Sequence, residues 1–189
     1  MSTGKRRGGA SRRRRHRSHY RITKRDRLTT GDLDRLLSTS PATAPYYKNT
    51  FPLDLLPRFA IARAEKPAII VVNHGTSQTA GHHWTLLYLP AAEREPAYYF
   101  DSYGRSLSHF PELVDFVTRN SRAGWTHNDI RLQDETSNAC GHFVLAAAYL
   151  LSRGTHPQSV PSYFTRNNLA SNEQALRAFV RKAFGHHVT

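Results

Sequence analysis

Cys140 is the one cysteine of the chain, and the run Thr136-Ser137-Asn138-Ala139 leads through it into the apolar stretch opening with Gly141-His142-Phe143. A turn running into a helix suits a nucleophilic thiol, because the first helical turn carries about half a positive charge and unpaired N–H groups. Both favour thiolate over thiol and can hold a developing oxyanion. A free thiol is only a few per cent thiolate at neutral pH, so an imidazole must take its proton and a carboxylate must hold that imidazole in the right tautomer. His83, beside Trp84, and Asp101, after Ala97-Tyr98-Tyr99-Phe100, suit those two roles. Attack on a peptide carbonyl builds negative charge on oxygen, which a side-chain amide and the nucleophile's own N–H stabilise. Gln133, seven positions before Cys140, is the natural amide.

Taken singly these residues have ordinary structural readings. A buried cysteine is usually a small hydrophobe, His83 suits the end of a strand, and Asp101-Ser102-Tyr103-Gly104 reads equally as a turn. What chance rarely produces is the order: His-Trp, a strand, Asp, a long gap, Gln, and then Cys-Gly. The other histidines, among them His74, His82, His142, His156 and the pair His186-His187, lack carboxylate spacing that would complete a metal site, so no metal is expected. Helical position turns His142 away from Cys140. Gly81 reads either as a simple turn or as a place where a substrate backbone comes close.

The elements that must position these groups describe an α+β domain. Thr30 is placed as the cap of a short helix carrying Leu33, Leu36 and Leu37, and Pro41 to Pro57 reads as an irregular, Pro-punctuated stretch. Ala68 to Asn73, His83 to Leu89 and Ala97 to Asp101 read as strands, the last two joined by a hairpin at Glu93 to Pro96. Phe110 to Asn120 has a helical apolar face, and Ile130 to Gln133 reads as a further strand. Cys140 to Ser152 is apolar nearly all round, marking a central buried helix that Gly154 ends. Ser171 to Gln174 has capping-box form ahead of a closing amphipathic helix.

With these pieces in place the chain resembles the adenovirus-type cysteine endopeptidases, relatives of the ubiquitin-like-protein proteases. The matching segments are Pro45-Tyr46-Tyr47 with Phe51-Pro52, Ala68 to Asn73, Gly81-His82-His83-Trp84, Tyr99 to Gly104, Gln133 to Phe143, and Asn172-Glu173-Gln174 with Leu176 and Phe179. The resemblance implies His83 as base, Asp101 as orienting acid where the adenovirus enzymes carry Glu, Gln133 as oxyanion donor and Cys140 as nucleophile. It also implies a small mixed sheet packed against a central helix that carries the nucleophile. The seven-position step from Gln133 to Cys140 suits the adenovirus branch better than the ubiquitin-like branch, whose step is one shorter. In two respects the chain departs from that family. The adenovirus enzymes take an activating viral peptide through a second cysteine, which this chain lacks, so any such peptide would bind noncovalently. The gap from Asp101 to Cys140 is also shorter, which assigns Ser121 to Asn128 to a trimmed loop.

Composition divides the chain into residues 1 to 27, a basic tail, and residues 28 to 189, a protease-like domain. The tail holds twelve Lys or Arg against Asp26, a net +11 of the +13 total, which leaves +2 for the domain. Its clusters Lys5, Arg6 and Arg7, then Arg12, Arg13, Arg14, Arg15 and Arg17, lack apolar neighbours, and the tail is expected to be disordered. Such a segment suits sequence-independent binding of nucleic acid, nuclear import or simple solvation. A single cysteine excludes an internal disulfide and fits a reducing compartment, and no apolar run approaches the ~18 to 20 residues of a membrane span.

The expectation is a soluble, monomeric viral cysteine endopeptidase that cleaves capsid and core precursors in the host nucleus and virion, with DNA held by the tail and DNA or a viral peptide as activators. Two alternatives remain open, a deubiquitinase-like protease of the same clan and a nonenzymatic basic DNA-binding virion protein. Deleting the basic tail is expected to remove most DNA affinity while hardly changing cleavage of a short peptide without DNA. For the full chain, the slope of log K against log salt should fall at about −4 to −9, since each phosphate contact contributes roughly −0.9. Undiminished binding by the truncated protein would place the site on the folded domain.

Overall fold

The computed structural model describes residues 27–58, 61–79 and 81–185. The basic clusters from Lys5 to Arg17 and the pair His186-His187 lie outside the described residues. Four α-helices surround one five-stranded sheet among the described residues: α1 (Thr30–Thr39), β1 (Tyr47–Pro52), β2 (Ala68–Asn73), β3 (Trp84–Leu89), β4 (Ala97–Phe100), α2 (Pro111–Asn120), β5 (Trp125–His127), α3 (Cys140–Ser152) and α4 (Leu169–Phe184). Sheet order follows chain order, with β2-β3 and β3-β4 antiparallel and the outer pairs β1-β2 and β4-β5 parallel. The class is α+β with a small mixed sheet against a central helix, as the sequence suggests.

Alternation of side chains along the central strands builds two cores. Ile69, Val71, Leu86, Tyr98 and Phe100 meet α1, α3 and α4 through Leu33, Leu36, Leu37, Phe143 and Leu176. Ala68, Ile70, Val72, Leu87 and Tyr99 turn to the other face, against Leu56, Leu113, Phe116 and Val117. A strand covered on both faces needs no polar side, which is why Ala68 to Val72 is apolar without a break. Helix α3 is likewise buried along most of its length, from Cys140 to Ala148 and at Leu151, and Gly154 closes it at φ 82°.

Several boundaries differ from the sequence reading, each for a physical reason. Thr29, not Thr30, caps α1, through a capping box in which Asp32 takes the Thr29 N–H. Helix α4 begins at Leu169 under an Asn168 cap, ahead of the box-like Ser171 to Gln174. The stretch Pro41 to Pro57 is not irregular throughout, since Tyr47–Pro52 pairs with β2 as an edge strand, where a proline is tolerated. Ser121 to Asn128 is not simply a loop, because it contains β5 paired with β4. Ile130 to Gln133 is not a strand. Its backbone hangs instead on the turn after β4, with Leu132 and Gln133 both donating to the Ser102 carbonyl at 2.8 and 3.1 Å.

Phe143 is fully buried on α3 between the sheet and Phe164, whereas Tyr163 is 62% exposed. Phe143→Ala is expected to cost about 3 to 5 kcal/mol, read as a lowered denaturant midpoint at unchanged slope. Tyr163→Ala should stay within roughly 0.5 kcal/mol.

Candidate active site

The sheet register brings the first two groups together. Leu86 pairs with Phe100 and Leu87 with Tyr99, so the start of β3 and the end of β4 share one end of the sheet. His83 precedes β3 and Asp101 follows β4, and there His83 Nε2 lies 2.7 Å from Asp101 Oδ1, both side chains buried. Asp101 is fully enclosed, and its carboxylate is satisfied by three donors: the His83 ring, the Tyr103 N–H at 2.8 Å and the Arg105 Nε at 2.8 Å. Burial works against its ionised form, but those donors outweigh burial and hold the carboxyl below the ordinary range. With Nε2 engaged by Asp101, Nδ1 is the nitrogen of His83 that remains for a thiol.

Cys140 supplies that thiol from the first position of α3. The preceding residue, Ala139, makes no side-chain cap, so the Cys140 and Gly141 N–H groups stay available, while those of His142 and Phe143 donate to the Ala139 carbonyl. Burial pushes the Cys140 thiol up, and it is outweighed by the His83 ring and by the backbone N–H groups of Trp84 and Gly141, so the net direction is down. For His83, burial pushes the pKa down, while the Asp101 and Cys140 contacts outweigh it and raise it. Both shifts favour one state, an imidazolium beside a thiolate.

A second histidine stands next to this pair without adding charge. The His74 ring is 5.5 Å from that of His83, and its Nε2 meets Thr85 Oγ1 at 2.9 Å and the Tyr99 hydroxyl at 3.3 Å. Burial, and then the positive charge of His83, push its pKa down to about 3. A neutral His74 leaves the imidazolium of His83 unopposed by a like charge.

Gln133 is fully buried, and its amide is held in one orientation. Ser102 Oγ donates to Oε1 at 2.6 Å, which turns Nε2 toward the Tyr103 hydroxyl at 3.3 Å and toward Ser137, at 3.2 Å to its carbonyl and 3.3 Å to its hydroxyl. The loop carrying it is fixed by two asparagines. Asn128 Oδ1 accepts from the Asp101 N–H at 2.9 Å, and Nδ2 donates to the Asp101 and Ile130 carbonyls. Asn172 Nδ2, from α4, donates to the Leu132 carbonyl at 2.9 Å.

The structure therefore brings His83, Asp101, Gln133 and Cys140 to one end of the sheet. Sequence reasoning missed Ser102, Tyr103, Arg105, Asn128 and the role of Asn172. Ser102, Tyr103 and Arg105 stand within four positions of Asp101, and Asn172 opens one of the segments that carry the resemblance, whereas Asn128 had no signal. His142 is buried packing in α3. Gly81 has an internal reason, because a Cβ there would sit 2.2 Å from Asn73 Nδ2 and from the Trp84 ring.

Arg27 donates to the Gly81 carbonyl and its guanidinium lies 5.6 Å from the Trp84 ring centroid. Truncation that spares the surroundings of His83 therefore ends at residue 26. Among the described residues no group of three His, Cys, Asp or Glu forms a metal cluster, and no helix is long and apolar enough to cross a membrane.

No protein-family model matches the chain, and no curated protein matches it. Among solved structures it is similar to the ASFV pS273R protease, with 16% identity and a TM-score of 0.59 over 86% of this chain and 70% of that one. It is also similar to the central domain of an uncharacterized protein, Lpg1148, from Legionella pneumophila, with 15% identity and a TM-score of 0.50 over 87% of this chain and 99% of that one. The fold is that of a cysteine protease. At these identities the likeness concerns the fold alone, and it does not single out the adenovirus branch.

The directions of the two shifts set a pH test. A lowered thiol pKa keeps thiolate present below the ordinary thiol range and loses it only as pH falls through the lowered value. The rate of alkylation by iodoacetamide should accordingly have its midpoint below that of a free thiol. In His83→Ala burial acts without the imidazolium, and the midpoint should move up. An identical profile in the two proteins would mean that the pair is not formed.

Proposed function

We propose that the chain is a cysteine endopeptidase of the adenovirus type that cleaves viral capsid and core precursors during virion maturation. The observation that carries the reading is the buried His83–Asp101 hydrogen bond facing a thiol at an uncapped helix start. In this reading the Cys140 thiolate attacks the scissile carbonyl, and the oxyanion is held by the Cys140 N–H and by Gln133 Nε2. The imidazolium of His83 then gives its proton to the departing amine, leaving a thioester. Water, deprotonated by His83, hydrolyses that thioester and frees the thiol.

The seven-position step from Gln133 to Cys140 supports the adenovirus branch over the ubiquitin-like one. The net +11 of residues 1–27 supports a tail that holds the enzyme on packaged DNA, in the host nucleus and the virion. DNA and a noncovalently bound viral peptide are the activators in this reading, and the enzyme works as a monomer.

Cys140→Ala is expected to abolish cleavage of precursor polypeptides with the fold intact by circular dichroism. Gln133→Ala should lower kcat by roughly 100- to 1000-fold with a smaller change in KM, because its amide acts mainly on the transition state. Cleavage surviving in Cys140→Ala would sink the mechanism. Labelling by a ubiquitin-like protein bearing a C-terminal electrophile, without cleavage of viral precursors, would move the substrate class to ubiquitin-like conjugates.

A further inference from the structure

Tyr103 touches three of the four groups named above. Its backbone N–H donates to Asp101 Oδ1 at 2.8 Å, and its ring lies against that of His83 at 4.8 Å between centroids, tilted by 33°. Its hydroxyl accepts from Gln133 Nε2 at 3.3 Å. The turn from Asp101 to Gly104 sets this placement: the Gly104 N–H returns to the Asp101 carbonyl at 2.8 Å, and Gly104 has φ 71°. A Cβ on Gly104 would lie 2.7 Å from the Ile130 carbonyl carbon, so the turn is pressed against the loop that leads to Gln133.

The hydrogen count at Gln133 is what makes the hydroxyl important. An amide nitrogen has two protons. One is directed to Ser137 and the other to Tyr103, so in the resting protein Nε2 has none to spare. Both contacts are longer than the ~2.9 to 3.0 Å of an ordinary N–H···O bond, so neither is tightly made. The Tyr103 hydroxyl accepts from Gln133, and no acceptor among the described residues takes its own proton. An oxyanion arriving between Cys140 and Gln133 would take the amide proton now lent to Tyr103. The hydroxyl, freed as an acceptor, would turn its own proton to the same oxygen.

We infer that Tyr103 is a second side-chain donor of the oxyanion site, acting beside Gln133 when acyl transfer builds charge on oxygen. This rests on the reading of Cys140 as an acyl-transfer nucleophile. Burial, and then the negative charge of Cys140, raise the pKa of the Tyr103 phenol above its ordinary value, so its proton stays on across the working range. Arg105, whose guanidinium lies 5.3 Å from the Tyr103 ring centroid and 5.7 Å from that of Phe110, packs over the same ring.

The test compares two reactions of Cys140 in the full chain. Acylation by the p-nitrophenyl ester of N-acetylglycine passes through an oxyanion: the thiolate forms the C–S bond and nitrophenolate leaves. Alkylation by iodoacetamide uses the same thiolate and forms no oxyanion. Tyr103→Phe keeps the ring against His83 and removes only the hydroxyl. It should slow the nitrophenolate burst by at least about 10-fold, short of the roughly 100- to 1000-fold loss of a principal donor, with the alkylation rate and its pH profile unchanged. An unchanged or faster burst overturns the inference, the faster one meaning that the hydroxyl only blocks Gln133. Equal loss in both reactions overturns it too, since the substitution would then have displaced the thiolate pair. A burst that is absent from the unaltered protein, or persists in Cys140→Ala, defeats the enzyme reading itself and this inference with it.

Discussion

The hydrogen bond from His83 Nε2 to Asp101 sits where solvent is excluded, and that burial governs the rest of the site. An unpaired carboxylate at such depth would be costly and would take up a proton. Asp101 stays ionised because His83, the Tyr103 N–H and Arg105 surround it. Those three donors come from the strand entry before β3 and from the turn after β4. The antiparallel register of these strands must therefore hold to within one residue, since a slip of one would turn every side chain to the opposite face. The double-sided core enforces that register, with Leu86 and Phe100 on one face and Leu87 and Tyr99 on the other.

Charge balance extends the same logic outward. Burial alone would keep Cys140 a thiol and His83 neutral, so the pair ionises only because each supports the other and backbone N–H groups add to the thiolate side. Another cation close by would weaken the imidazolium. His74, whose ring lies 5.5 Å from that of His83, is kept neutral by its own burial, and Arg105 donates to the other oxygen of Asp101, where it neutralises the carboxylate. Ala139 at the start of α3 belongs to this balance. A side-chain cap there would take the N–H groups that the thiolate and an oxyanion need.

The four residues of the candidate site were legible in the sequence, and the groups that hold them largely were not. Helix α3 was readable to both ends because it is apolar nearly all round and closed by Gly154, so burial and termination both leave local marks. Strands β2, β3 and β4 were readable for the same reason. Strand β5 has three half-buried residues, Trp125, Thr126 and His127, and no alternation to reveal it; it exists through its pairing with β4. Asn128 is more opaque still. Its side chain supplies to Asp101 the acceptor and donor that a continued strand would have supplied, and nothing within a few residues of it signals a partner 27 positions away. Ser102 was read as part of a turn, which it is. Its hydroxyl also decides which way the Gln133 amide points, and that depends on a loop 31 positions later.

The two halves of the site arrive from different elements, so something must fix their separation. Asp101 and His83 come with the sheet, and Cys140 comes with α3, whose inner face packs on β3. The close approach of Leu28 to Gly141 fixes the second half: a Cβ at Gly141 would be 3.1 Å from the Leu28 Cβ, so the helix start is pressed against the segment entering α1. The neighbouring residue, Arg27, binds the Gly81 carbonyl and covers Trp84 at the entry to β3. Two consecutive residues thus touch the thiol-bearing helix and the imidazole-bearing strand entry. A side chain larger than hydrogen at position 141 would press on Leu28 from within the first turn of α3, and the displacement would be taken up between sulfur and imidazole, where proton transfer tolerates little change in distance.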